Sequence, residues 1–460
     1  MRTRRFLSVF FLLLLLFNSF ALPMALADET AVKQVEDPDI QAKAALLVDA
    51  ETGAILYEKN KDQELYPASL TKIMTALLVL EAVDNGQLSL SQKVTASSAA
   101  FAGLSHDGSS ANIKVGEELT VEELLYCMMV VSANEACNIL AEAVSGSVEA
   151  FAEQMNQKAQ ALGCKNTHFV NATGLQDTQH YTSAWDLYLI TKEALTHDEF
   201  MTICDTAQIT LPATNLSQER TLYTTNYLLS SWRALGYRYQ NAHGIKTGST
   251  SDAGHCLVSS AAKGSLSFIS VILGAEKVTK PTGGSDVQSF SETSRLFEWG
   301  FENFSYQTVL TTTDMLASMP VTLSEIESVA LHCSEDVVVL MPKVLSADDL
   351  KKTIRFQSKS VEAPVSMGDQ LAEVELSYNG TVYATVPLVA LADVPSSPSL
   401  VFKAQLREFF DRTIVKVICV AVILLILFLV IWKLTIGRQR YRYGKNVRRQ
   451  RNYRGRRRRF

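Results

Sequence analysis

Ser69 and Lys72 stand three residues apart in Pro67-Ala68-Ser69-Leu70-Thr71-Lys72-Ile73-Met74-Thr75. On a helix that spacing puts a hydroxyl and an amine on one face. A serine hydroxyl is inert at neutral pH until a base takes its proton, and an amine desolvated among apolar groups has a lowered pKa and can be that base. The pair therefore reads as a nucleophile beside its base. A Ser-x-x-Lys match is expected about once by chance in a chain this long, so the spacing alone carries little. Two further motifs follow in order, Ser132-Ala133-Asn134 and Lys246-Thr247-Gly248. Three such motifs in sequence, each beside suitable secondary structure, are poorly explained by chance.

The elements that must position them are legible. Pro67 precedes good helix formers running to Val83, apolar on nearly every side, which predicts a buried helix opening near Ser69. Ala44–Asp49 and Ala54–Tyr57 read as strands joined by a turn at Glu51–Gly53. Thr120 with Glu123 forms a capping box opening an apolar helix that delivers Ser132–Asn134 at its end. Helices are predicted over 151–162, 183–194 and 285–302, and a β-hairpin over 257–274 turning at Lys263-Gly264-Ser265. From Val309 to Pro395 short alternating segments, with a turn at Tyr378-Asn379-Gly380, predict a small all-β domain.

Charge and hydropathy are unevenly spread. Of 43 Lys and Arg, 13 lie in Lys433–Phe460, which has no acid, leaving 30 bases against 48 acids and a body near −18. Arg2, Arg4 and Arg5, an apolar run from Phe6 to Phe17 and Ala25-Leu26-Ala27 predict a secretory signal cleaved before Asp28. Ile414–Ile436 is long and apolar enough to span a bilayer. The Arg-rich segment after it belongs on the cytoplasmic side, which puts the body outside. Such residues beside a span read as headgroup contacts, so no nucleic-acid partner is expected.

The predicted organisation is a signal peptide (1–27), a loose leader (28–41), a catalytic domain (42–305), a β domain (309–395), a linker (396–412), a span (413–436) and a basic tail (437–460). Seven cysteines lack framework spacing and form no Cys-x-x-Cys, so most are expected to be small core residues, with no bridge, metal or cofactor. No Gly-x-Ser-x-Gly elbow and no His-Glu-x-x-His occur, which argues against a Ser-His-Asp hydrolase and a metalloprotease.

The three motifs, with Asn171-Ala172-Thr173-Gly174-Leu175 and Gly244–Gly248 running on through Ala253–Val258, resemble the low-molecular-mass penicillin-binding D-alanyl-D-alanine carboxypeptidases. The resemblance covers about Ala42 to Phe304. It implies a β-lactamase/transpeptidase-like α/β catalytic domain, helices plus an antiparallel sheet, with the β domain and membrane attachment following. It also implies roles. Ser69 attacks the penultimate D-Ala carbonyl of a peptidoglycan stem peptide, Lys72 takes its proton, and Ser132 passes a proton to the leaving amine. Asn134 orients the substrate amide or Lys72, and Lys246 with Thr247 of the Lys246-Thr247-Gly248 motif receives the terminal carboxylate. The Ser69 and Ser249 backbone N–H groups form the oxyanion hole, and β-lactam antibiotics become covalent inhibitors. Relatives usually carry a short amphipathic helix where this chain has a full apolar span. A DD-endopeptidase or transpeptidase, a β-lactamase and a catalytically dead wall scaffold are the competing readings. A scaffold would have no need for Ser69, Lys72, Ser132 and Lys246, and a β-lactamase would be a smaller secreted domain.

Overall fold

The computed structural model describes residues 33–450 apart from 106, 107, 281 and 282, with side chains as far as 435. The signal peptide, most of the leader and the end of the tail lie outside the described residues. Of those described, residues up to Gln307 together with Leu340–Ser346 form one unit, and Thr308–Val339 with the residues from Ala347 form another.

The first unit is built on a five-stranded antiparallel sheet. Its strands are β1 (Ala44–Asp49), β2 (Ile55–Lys59), β3 (Ala242–Thr250), β4 (Gly254–Lys263) and β5 (Leu266–Ala275), in the order β2-β1-β5-β4-β3. All six residues of β1 are buried, because both faces of the sheet are covered. Ala45 and Leu47 pack with Phe268 and Ile272 against Leu296, Phe297 and Phe301. Ala44, Leu46 and Val48 point the other way, into the helical half of the unit. The long apolar runs predicted as strands follow from this two-sided burial. A Cβ on Gly300 would come within 2.8 Å of the Leu47 side chain and 2.9 Å of Phe268, so glycine lets the last helix lie close on the sheet.

The helical half holds α1 (Lys72–Asp84), α2 (Val121–Val130), α3 (Asn134–Ser145), α4 (Val148–Ala161), α5 (Ala184–Ala194) and α6 (Asp198–Cys204). Helix α7 (Gln288–Asn303) covers the opposite face. Residues Lys72 to Leu80 of α1 are buried without a break, as its all-round apolarity predicts. The Thr120–Glu123 capping box is present in both directions and opens α2. Ser183 caps α5 by accepting from the Asp186 N–H. Helix α6 is not among the helices predicted from the sequence: it buries Phe200, Ile203 and Cys204, but seven residues are too few to establish a helical period.

One expectation is corrected at the site itself. Ser69 lies on a 3-10 turn, Ala68–Thr71, and the α-helix proper begins at Lys72. Ala68 has φ +48°, which no α-helix accommodates, so the chain enters through the tighter turn. Residues i and i+3 eclipse in a 3-10 turn, and the pairing of Ser69 with Lys72 survives the change.

In the second unit a six-stranded sheet includes the hairpin Gln370–Tyr378 and Thr381–Ala390, which turns at Asn379 and Gly380, both with positive φ. The expected linker is in large part helical, α8 (Pro398–Asp411), with Pro398 at the start where its fixed φ is pre-organised. Helix α9 (Thr413–Gln450) follows. Its Thr413–Thr435 stretch has mean hydropathy 3.4 and no buried residue, and is long and apolar enough to cross a membrane. Five of the seven cysteines are buried and all seven are free thiols.

Candidate active site

Lys72 is fully buried, and its ammonium nitrogen touches three oxygens: Ser69 Oγ at 2.9 Å, Asn134 Oδ1 at 2.9 Å and the Thr173 carbonyl at 2.8 Å. Each comes from a different segment: the 3-10 turn, the first residue of α3 and the Asn171–Gly174 loop. A neutral amine has two protons and one lone pair. Two of the three partners, a carbonyl and an amide oxygen, can only accept. The lone pair of a deprotonated Lys72 is therefore left for Ser69, the one partner with a proton to give. Burial lowers the Lys72 pKa, with Cys137 and Glu135 opposing it, and this favours the neutral form that such a base requires.

Close approach around Ser69 depends on two glycines. A Cβ on Gly248 would sit 2.9 Å from the Pro67 carbonyl oxygen and 3.2 Å from Ser69 N, so β3 runs directly against the turn carrying the nucleophile. At Gly174, with φ +82°, a Cβ would lie 1.8 Å from the Ala68 carbonyl oxygen. The sequence shows both glycines inside motifs but not what they press against.

Lys246 and Thr247 lie on β3, which among the described residues is an edge of the sheet. Lys246 is buried, and its ammonium donates to the Thr247 carbonyl at 3.1 Å. Desolvation, with the Lys72 charge adding to it, lowers its pKa to about 7. Thr247 shares a hydroxyl contact of 2.6 Å with Thr225. Ser249 is exposed, one residue beyond the glycine that meets Ser69.

Ser132 occupies the turn between α2 and α3 with φ +65°, a conformation a serine rarely adopts. Its buried hydroxyl has no hydrogen-bond partner among the described residues. A buried, strained and unpaired hydroxyl two residues from Asn134 is what a group kept for an incoming ligand looks like. The three motifs thus meet: Ser69, Lys72 and Asn134 by direct hydrogen bonds, and the Lys246-Thr247-Gly248 strand by packing against the turn.

The residues that support the site belong to none of the three motifs. Asp205, at the end of α6, accepts from the Gly244 N–H at 3.0 Å and lies 3.0 Å from His243 Nδ1, fixing the start of β3. Asn226 and Ser259 both donate to the Gly244 carbonyl, at 2.6 and 2.8 Å. Thr173 is named by its motif, yet it acts through a backbone oxygen, which no side-chain pattern reveals.

Comparison with known proteins agrees with this geometry. Residues 31–277 match the family model described as D-alanyl-D-alanine carboxypeptidase, and residues 304–396 match the C-terminal domain of penicillin-binding protein 5. The chain is 33% identical over 380 residues to D-alanyl-D-alanine carboxypeptidase DacF of Bacillus subtilis, covering 83% of this chain and 92% of that protein. Among solved structures, penicillin-binding protein 5 from Haemophilus influenzae is 30% identical with a TM-score of 0.61, over 79% of this chain and all of that one. The carboxypeptidase DacD from Francisella tularensis is 25% identical with a TM-score of 0.63, over 82% of this chain and 99% of that one. With a serine, a buried lysine and a buried edge-strand cation gathered in one place and these similarities along most of its length, the chain belongs to the D-alanyl-D-alanine carboxypeptidase family of serine peptidases.

Proposed function

We propose that the chain removes the terminal D-Ala from peptidoglycan stem peptides ending in D-Ala-D-Ala, through an ester on Ser69. The observation that carries this is the Lys72 environment, in which two obligate acceptors leave the amine's lone pair for the Ser69 proton. The neutral amine takes that proton as Ser69 Oγ bonds to the penultimate carbonyl carbon. Backbone N–H groups of Ser69 and Ser249 receive the oxyanion, a contribution of about 3 kcal/mol in such sites. Ser132 passes a proton to the departing D-Ala nitrogen, Asn134 holds Lys72 and the substrate amide, and water then hydrolyses the ester. A β-lactam presents a strained amide to the same serine and remains as the ester, so it inhibits covalently.

Lys246, with Thr247, receives the free carboxylate of the last residue, a charge-assisted contact that selects a chain end. Incubating the full-length chain in detergent with a pentapeptide ending in D-Ala-D-Ala should release free D-Ala, and absence of release would sink the reading. The terminal amide of the same peptide should be at least about tenfold poorer in kcat/KM, since a hydrogen bond to a charged group is worth about 1.5–3 kcal/mol. Lys246 carries its charge below its pKa of about 7 and loses it above, so this preference should shrink as pH rises through that value. A preference that stays constant from pH 6 to 9 would remove Lys246 from the role.

We place the folded body outside the cytoplasm, held by the Thr413–Thr435 span, with the signal peptide removed and the Arg-rich tail inside against anionic headgroups.

A further inference from the structure

Among the buried ionisable side chains not yet given a role, His180 is tied directly to the turn that carries Ser69. His180 is 2% exposed and its ring is fixed from both sides. The Val170 backbone N–H approaches Nδ1 at 3.2 Å, and Nε2 lies 2.8 Å from Thr71 Oγ1. Thr71 Oγ1 in turn donates to the Ala68 carbonyl at 2.9 Å. The directions of these bonds follow from one fact. A backbone N–H can only donate, so Nδ1 accepts and the ring proton sits on Nε2. Nε2–H then donates to Thr71, whose own proton goes to Ala68. The arrangement needs a neutral imidazole. Burial favours that form, pushing the pKa down to about 4, with Asp177 opposing and His168 adding to the shift.

This relay joins two pieces that must stay in register. One is the turn Ala68–Thr71 that presents Ser69, and the other is the loop after Phe169. That loop supplies the Thr173 carbonyl to Lys72 and the Ala172 carbonyl to Thr75, the latter at 2.7 Å. Phe169 stacks edge-on against the His180 ring at 5.5 Å. Ser69 and the acceptor that orients Lys72 are therefore both referenced to one imidazole.

We propose that His180, acting through Thr71, is a positioning residue for acylation: it sets the separation between the Ser69 turn and the loop carbonyl that aims the Lys72 lone pair. This rests on the reading of Ser69 as the acylated residue. Displacing a reacting group by about 1 Å costs about a hundredfold, so loss of the relay should slow bond formation while leaving initial binding nearly intact. A merely structural histidine would instead lower the melting temperature and leave the rate of the folded fraction alone.

The test follows a fluorescent penicillin on the full-length chain in detergent, separating the dissociation constant of the first complex from the acylation rate constant. Thr71→Val, which keeps the shape and loses the hydroxyl, should acylate at least about tenfold more slowly with the first dissociation constant within about threefold of the parent's. Thr71→Ser should acylate within about threefold of the parent. His180→Leu should match the Thr71→Val defect, His180→Gln should recover part of it by restoring a donor, and the double variant should be no slower than the slower single one. If the His180 variants fail to fold, the contrast between Thr71→Val and Thr71→Ser decides alone. A labelled parent with Thr71→Val acylating within threefold of it, or single effects that multiply, overturns the inference and spares the Ser69 reading. An unlabelled parent overturns both.

Discussion

Replacing Lys72 with Ala lowers both D-Ala release and penicillin acylation by about 10³- to 10⁴-fold, at the upper end of what a general base contributes. The size follows from how completely the amine is committed. It is fully buried, it is the one basic group bonded to Ser69 Oγ among the described residues, and its other two contacts are to oxygens that only accept. The alanine variant leaves Asn134 Oδ1 and the Thr173 carbonyl without that donor as well, so some loss of stability accompanies the loss of rate. Ser69→Ala should form no covalent adduct at all. Lys72→Arg is expected to be almost as poor as Lys72→Ala, because a guanidinium does not give up its proton and is a larger, planar group than the compact ammonium. Rapid-mixing measurement of adduct formation checks this. An alanine variant that acylates within tenfold of the parent would transfer the role of base to another group.

Gly174→Ala is expected to destabilise the fold by about 3–5 kcal/mol, a large effect for the addition of one methyl group. Two costs add. A φ of +82° strains any L-residue by about 1–2 kcal/mol, and the new methyl would have to displace the Ala68 carbonyl oxygen from 1.8 Å. That oxygen belongs to backbone and already accepts from Thr71, so it cannot swing aside as a flexible side chain would. Whatever folds should acylate slowly, since the shift acts on the turn holding Ser69. Denaturant unfolding with the parent and with Gly86→Ala, where nothing lies within 4 Å, separates the contact from the backbone term. Equal losses at both positions would show that the contact with Ala68 contributes little.

How much of this was legible in the sequence differs by kind of residue. Four strands of the sheet, α1 and the capped start of α2 are carried by apolar runs and a capping box, whereas β3, with its Lys, Thr, Ser and glycines, has no such run and is not predicted as a strand. Ser69, Lys72, Asn134 and Lys246 were legible because their side chains do the work and their spacings are short. His180 was visible only as one of seven histidines, since its partners are Thr71, 109 positions away, and a backbone N–H. Thr173 contributes a main-chain oxygen, and Asp205 and Asn226 hold the main chain of Gly244. Contacts of that sort leave no mark in residue type. The 3-10 entry before Lys72 was missed for a related reason: a positive φ at Ala68 is imposed by what packs around it, not by alanine. Helix α6 is too short for its buried Phe200, Ile203 and Cys204 to show a period, and α8 is obscured by Pro398, which punctuates a loop and begins a helix equally well.

The Thr413–Thr435 stretch has a kinetic consequence of its own. An enzyme that adheres to a lipid surface by a shallow helix exchanges with solution, and its occupancy there depends on an equilibrium. A segment buried through the whole hydrocarbon thickness is retained for the lifetime of the molecule. With this stretch spanning the bilayer as proposed above, the dose of cutting sites per unit of envelope would be set by synthesis and turnover alone, and each copy would meet only those strands that grow within reach of its tether.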